Sequence, residues 1–202
     1  MIRQLLYAAS YCTLCAAPNR FLKGKPGLNL GGGKIEHEDF LNLDLSLSVD
    51  RPFDLERYPL VIPPNSIERV VAISSLNYLS YERVVDLMFR VHLGLKNGGR
   101  LRIALQDRDR IWEMGVGGEF KELARRGNRY AVSGDFLLRE YFSGFESSGS
   151  SCKFLYSCSF CLALIRNIGF SSVVVSSFLD PDSDLSIFDN RESEMFFIEA
   201  TK

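Results

Sequence analysis

The sequence predicts an α/β fold: a doubly wound, mostly parallel, seven-stranded sheet with helices on both faces and a late antiparallel strand. Three observations carry this. Short apolar runs of strand length alternate with stretches of helical periodicity. The run Glu68–Ser74 is almost continuously apolar, as expected of a central strand covered on both faces. A glycine triplet, Gly31–Gly33, follows the first strand, where such folds bring backbone close to a ligand.

The elements follow in order. Residues 2–17 read as a helix ending near Pro18, with Ile2, Leu5, Leu6, Ala9 and Cys12 as the face expected to dock. A basic turn, Lys23–Gly27, leads to a short strand Leu28–Leu30 and the glycines. A second strand spans Phe40–Leu45 and a third lies near Val49–Phe53. Pro59, Pro63 and Pro64 mark an extended connection. Ser80 is a suitable N-cap for a helix Tyr81–Leu95, and Asn97-Gly98-Gly99 is the turn expected to stop it before the strand Leu101–Leu105. Residues 108–151 differ, with mixed charge and a Ser/Gly-rich end, and read as an insertion or lid. A helix at Ser157–Asn167 capped by Gly169, a strand Val173–Val175 and a final strand Met195–Ala200 complete the chain. The last two strands suit a terminal hairpin.

The chain has 202 residues, 46% of them hydrophobic and 24% charged, which suits one folded domain, 1–202, whose first 24 residues are a helix and lead-in. A net charge of -1 excludes a surface built throughout to bind phosphate backbones, so no nucleic-acid partner is expected. No apolar run approaches the ~20 residues of a membrane span. The segment after Met1-Ile2-Arg3 has some features of a signal peptide, but Tyr7, Ser10, Tyr11 and Thr13 interrupt it, and the amphipathic helix is the preferred reading. A cytoplasmic location is the expectation that follows. Five cysteines, an odd number, argue against a disulfide framework. Cys12/Cys15 and Cys158/Cys161 have zinc-ligand spacing, yet both pairs lie in apolar helical stretches where buried thiols act as small hydrophobes, so no metal is expected.

The residues that carry chemistry gather at strand ends. Asn29 and Gly31, Gly32 and Gly33 close the first strand. Asp44 and Leu45 end the second, where a carboxylate can accept from both hydroxyls of a ribose. Asp54 and Leu55 follow the third, near the place of an adenine amino group. Ser74 and Ser75 end the fourth. Each carboxylate alone reads as a surface charge or a cap; four consecutive strand ends with small or polar residues are what a nucleoside crevice needs.

The runs Leu28–Gly33, Phe40–Asp44, Asp54–Glu56, Pro64–Val70 and Leu95–Ile103 together resemble the class I S-adenosylmethionine-dependent methyltransferases. More narrowly they look like the small bacterial type 11-like group often linked to polysaccharide and surface-glycan pathways. Asp189–Ser193 leading into Phe197–Ala200 is similar to that group's end. The resemblance covers residues 27–107 firmly and 156–202 more loosely. It implies a Rossmann-like fold with S-adenosylmethionine as cofactor. Gly31–Gly33 would then face the methionine part, Asp44 the ribose, Asp54 and Leu55 the adenine, and Ser74 the sulfonium neighbourhood. The sequence departs from the pattern at Gly32, usually not glycine, and at Asn77-Tyr78, where relatives have an acidic–His pair. It also leaves only about ten residues between the glycines and Asp44, so the first crossover helix must be one turn or absent.

The implied acceptor is a small molecule, with a phosphate or a sugar as candidate features. Asp107, past the fifth strand, is the candidate general base if the acceptor must lose a proton; a helix cap is the competing reading. Asn77, Tyr78, Trp112 and Tyr156 are candidate acceptor contacts. Lys121, Arg125, Arg126 and Arg129 gather on one side of a presumed helix, either as a solvated face or as an anion-binding cover in which Arg125 and Arg126 contact the acceptor. Two other functions compete. A non-catalytic cofactor-binding or partner-regulating domain fits Asn77-Tyr78 and the triple glycine. A nicotinamide oxidoreductase is disfavoured, because Lys34, Ile35 and Glu36 follow the glycines in place of the spaced Gly-x-Gly-x-x-Gly pattern.

Overall fold

The computed structural model describes residues 2–117, 141, 152–192 and 194–202. Seven strands form one sheet: β1 (Gly27–Leu30), β2 (Phe40–Asp44), β3 (Arg51–Pro52), β4 (Ile67–Ile73), β5 (Leu95–Gln106), β6 (Ser172–Ser176) and β7 (Met195–Thr201). Their order across the sheet is 3-2-1-4-5-7-6. β1 to β5 are parallel, while β7 runs antiparallel between β5 and β6. The expected doubly wound sheet, its late antiparallel strand and the pairing of the last two strands are all present.

Helices among the described residues include α1 (Ile2–Ala16), α2 (Pro18–Phe21), α3 (Tyr81–Gly94), α4 (Arg108–Gly117) and α5 (Cys158–Ile168). α3 buries Val84, Leu87, Met88 and Val91, and α5 buries Cys161, Leu164, Ile165 and Ile168, against the fully buried strands Leu28–Leu30, Val70–Ala72 and Leu101–Ile103. Ser157 caps α5 by accepting from the Phe160 N–H, and Gly169 ends it in the left-handed conformation at φ 116. The links from β1 to β2, β2 to β3 and β3 to β4 contain no helix.

Three local expectations are corrected. α1 docks, but through Tyr7, Tyr11 and Leu14; Ile2 and Leu5 are 72% and 64% exposed, and Cys12 faces solvent as well. Tyrosine prevails because it can bury its ring and still satisfy its hydroxyl: Tyr7 donates to the Leu45 carbonyl at 2.6 Å, and Tyr11 stacks on Tyr58 at 4.9 Å. At the other end of the segment, the turn Asn97-Gly98-Gly99 does not stop α3. The helix ends at Gly94, and Leu95 is already extended, fully buried and paired with Ile67. A register shift between Ile67 and Arg69 then absorbs the turn, with Gly98 at φ 76. Finally, Cys12 and Cys15 are exposed and so do not act as buried hydrophobes.

No helix among the described residues is long and apolar enough to cross a membrane, and none of their side chains form a metal-binding group of three or more. The two Cys pairs lie on helices packed at opposite edges of the sheet. Burial pushes the Cys152 thiol up to about 11 and the Cys161 thiol up to about 12. Iodoacetamide at pH 8 is therefore expected to label Cys12 and Cys15 first and to leave Cys152 and Cys161 unmodified until the protein is unfolded, as peptide mass spectrometry will show.

The sheet's second half is fixed by Arg102, whose side chain is 0% exposed. Its guanidinium pairs with Asp189 at 2.5 Å and Glu199 at 2.8 Å, donates to Ser176 Oγ and the Ser177 carbonyl, and lies over the Phe197 ring. Three strands and the 177–189 segment thus share one buried cation. Removing one partner of such a pair leaves the other charge uncompensated, so Asp189→Ala is expected to cost about 3–5 kcal/mol in urea denaturation.

Candidate active site

The chain leaves β1 toward β2 on one side and β4 toward β5 on the other, so a crevice opens between the carboxyl ends of β1 and β4. On the β1 side, Gly31 takes φ 71, and a Cβ there would collide with Ser75. A Cβ on Gly32 would collide with the Asn29 carboxamide. The close approach requires glycine at both positions. On the β4 side, Ser74 continues the ladder by donating its N–H to the Ala104 carbonyl and then turns left-handed at φ 54, which carries Ser75 over Gly31. Ser74 is one of four non-glycine residues with positive φ among the described residues, and it stands at the end of β4.

The glycine loop is held from below by two asparagines paired across β1 and β2. Asn42 Nδ2 donates to the Gly33 and Ile35 carbonyls at 2.9 and 3.1 Å, and Asn29 Nδ2 to Ile35 at 3.4 Å. Asp44 holds it from the side, accepting the Gly33 N–H at 3.0 Å with one carboxylate oxygen and the Ser46 N–H at 2.7 Å with the other. Each oxygen keeps a lone pair for a ligand.

The opposite wall comes from the segment after β3. Asp54 accepts the N–H groups of Glu56 and Arg57 and so fixes the turn that presents Leu55. Glu56 accepts the Ser80 N–H at the start of α3 and pairs with Lys153 at 2.8 Å. Although burial raises the Glu56 carboxyl, Lys153 and the Ser80 N–H outweigh it and hold it below the usual range. Together Gly31, Asp44, Leu45, Phe53–Glu56, Ser74, Ser75, Tyr78 and Leu79 line a cleft of about 370 Å³, which is of small-ligand size.

Solved structures share this fold. An S-adenosylmethionine-dependent methyltransferase from Mesorhizobium loti is 20% identical, with 89% of this chain and 91% of that chain covered and a TM-score of 0.54. The chain has the class I methyltransferase fold. A second such structure, from Archaeoglobus fulgidus, is 12% identical, covers 99% of this chain and 94% of that one, and has a TM-score of 0.55. The phosphoethanolamine N-methyltransferase 2 of Haemonchus contortus, solved with phosphomonomethylethanolamine and S-adenosylhomocysteine, is 14% identical with a TM-score of 0.51; 95% of this chain matches 52% of that one. No family model matches the chain, and no curated protein matches it.

Within this methyltransferase fold, Gly31, Asp44, Leu45, Asp54, Leu55, Ser74, Ser75 and Tyr78 come together at the cleft. Asn29, Gly32 and Gly33 form its loop rather than its lining. Asn77 is buried and turned away: its Nδ2 donates to the Phe154 carbonyl, and its own carbonyl accepts from Lys153 and Phe154. Tyr156 is fully buried among Phe154, Phe160 and Tyr81-packed rings, and burial raises its phenol. Trp112 stands 56% exposed on α4. Asp107 precedes α4 and accepts the Asp109 N–H at 3.1 Å, a capping contact; burial raises its carboxyl, partly offset by that bond. Arg125, Arg126, Lys121 and Arg129 lie outside the described residues, as does most of the 108–151 insertion.

Sequence reasoning missed Phe53, Glu56 and Leu79 in the lining and Asn42 in the loop support. Asn42 did carry a signal, being a lone amide in an otherwise apolar strand. Replacing it with Ala strands the Gly33 carbonyl, so Asn42→Ala is expected to lose about 1–3 kcal/mol and to speed amide exchange selectively at Gly33–Ile35.

Proposed function

We propose that this chain transfers a methyl group from S-adenosylmethionine to a small acceptor. The observation that carries the reading is the cleft at the sheet's switch point, with Gly31 pressed against Ser75 and Asp44 at the end of β2. The residues fit the cofactor. Asp44 has acceptor capacity for ribose hydroxyls, and the buried Ser75 Oγ, pressed against Gly31, lacks a partner among the described residues. No helix follows the glycine loop, so no helix N-terminus aims at the place a pyrophosphate would need, which disfavours a dinucleotide.

S-adenosylmethionine supplies a methyl group on a sulfonium, open to in-line displacement. The chain then has only to bind, align and exclude water. In this reading Gly31–Gly33 hold the methionine part, Asp44 the ribose, Asp54 and Leu55 the adenine, and Ser74 borders the reacting centre. Asp107 is the base for an acceptor that must lose a proton, its raised carboxyl being closer to neutral pH. The acceptor we favour carries a phosphate or a sugar. Support comes from the basic run Lys121–Arg129, with Arg125 and Arg126 as contacts, and from the phosphorylated ligand of the Haemonchus contortus neighbour.

Calorimetry is expected to detect S-adenosylhomocysteine binding and no NAD binding; the reverse overturns the proposal. Asp44→Ala is expected to weaken the former by about 1–3 kcal/mol, with Asp44→Asn intermediate because it retains one acceptor oxygen. One observation favours a second reading, a cofactor-binding domain without transfer: Asn77 is committed to holding Phe154 where relatives carry an acidic residue. Methyl-labelled cofactor incubated with phosphorylated amines and nucleotide-linked sugars separates the two, since binding without transfer to any of them supports the second.

A further inference from the structure

Arg191 lies before β7, and its guanidinium reaches back across the end of β5 to the end of β4. There Nη2 donates to Ser74 Oγ at 3.3 Å. Nη1 pairs with Glu194 at 3.2 Å, and the side-chain exposures are 31% for Arg191 and 0% for Glu194. The pair therefore divides into a buried half and an accessible half. The carboxylate, out of reach of any solute, fixes the orientation of the guanidinium. The guanidinium is what a solute meets, and its remaining donors have no acceptor among the described residues.

Its position relative to the cleft is defined by the two serines. Ser75 faces Gly31 on the β1 side of β4. Ser74 faces the other way, toward Arg191 and Met195 Sδ, on the β5 side. Tyr78, also in the cleft lining, has its phenol raised by burial, lowered by Arg191 and raised by Cys152 and Glu194, so the guanidinium lies within electrostatic reach of it. Arg191 thus stands beyond Ser74, on the side away from the glycine loop. The carboxylates of Asp44, Asp54 and the Lys153-paired Glu56 line the cleft, while Arg191 stands just outside the lining, bonded to its Ser74. An anion is repelled by the Asp44 and Asp54 carboxylates, and the Arg191 donors left over by Glu194 and Ser74 are where it can bind.

We propose that Arg191, oriented by Glu194, binds an oxyanion of the methyl acceptor, a phosphate or a carboxylate, beside Ser74 at the edge of the cleft. The proposal rests on the cofactor reading above. A guanidinium presents a planar fork that matches either oxyanion, and a lysine in its place keeps the charge but not the fork.

The test follows the Arg191 Nε–H and Tyr78 resonances in nitrogen-correlated NMR spectra. Protein saturated with S-adenosylhomocysteine is titrated with inorganic phosphate, acetate or glycerol at constant ionic strength, and the unliganded protein is titrated in parallel. Saturable shifts with phosphate or acetate, and none with glycerol, are expected; the stronger of the two anions identifies the source. Arg191→Gln is expected to weaken that binding by about tenfold or more, the loss of one charge-assisted contact, and Arg191→Lys by less. Arg191→Lys also guards against misfolding, because it keeps a cation beside Glu194; its melting temperature should match the parent's. S-adenosylhomocysteine affinity should stay within about twofold in both variants, below the energy of one hydrogen bond. No saturable shift, equal anion binding in Arg191→Gln, or a parallel loss of S-adenosylhomocysteine affinity, which would assign Arg191 to the methionine carboxylate, each overturns the proposal. Failure of the cofactor reading is seen separately, as absence of S-adenosylhomocysteine binding in the unsubstituted protein.

Discussion

The site depends on a constraint of chain length: β1 and β2 are parallel neighbours, and only residues 31–39 connect them. A parallel return ordinarily passes through a helix, which satisfies its own backbone groups. Here there is no room for one, and the loop's carbonyls and N–H groups must find partners elsewhere. Asn29, Asn42 and Asp44 supply them, two from beneath and one from the side. The same side chains that make the crossover possible therefore fix the glycine loop at the mouth of the crevice. Its geometry is part of the folded sheet, set before any ligand arrives.

A second consequence concerns the rim. Without crossover helices in the first half of the sheet, the ends of β2 and β3 have little to cover them. α1 takes that place from outside the sheet. Tyr7 bonds the Leu45 carbonyl, Gln4 accepts from Arg57 at 2.6 Å, and Tyr11 stacks on Tyr58, so the helix braces both segments that form the carboxylate end of the cleft. The second half of the sheet has its own brace in Arg102, which ties the segment leading to Arg191 back to β5.

Much of the fold was legible because it is written locally. Apolar runs mark the strands, the α5 caps are Ser and Gly, and small or polar residues recur at four consecutive strand ends. What escaped was set by partners distant in sequence. The docking face of α1 was misjudged because hydropathy favours Ile2 and Leu5, whereas the available surface offered a carbonyl and a ring that only tyrosines could use. β5 begins early because Leu95 meets Ile67, a contact invisible in the Asn-Gly-Gly turn beside it. Arg191 stands in the run Asp189–Ser193, where the sequence assigns it no role. Its significance comes from Ser74, far away in the chain, and from the buried Glu194 with which it pairs.

These features bear on how two reactants would be told apart in one cleft. An adenosyl ligand is recognised at its hydroxyls and amino group by acceptors, and the Asp44–Glu56 end is rich in them. Beside Ser74, Arg191 offers donors. A displacement at a sulfonium needs its partners in line, and acceptors and donors set apart in this way would favour one orientation of each reactant. Orientation on this view comes from polarity built into four strand ends, and the strained φ of Ser74 is the backbone feature that brings the two halves together.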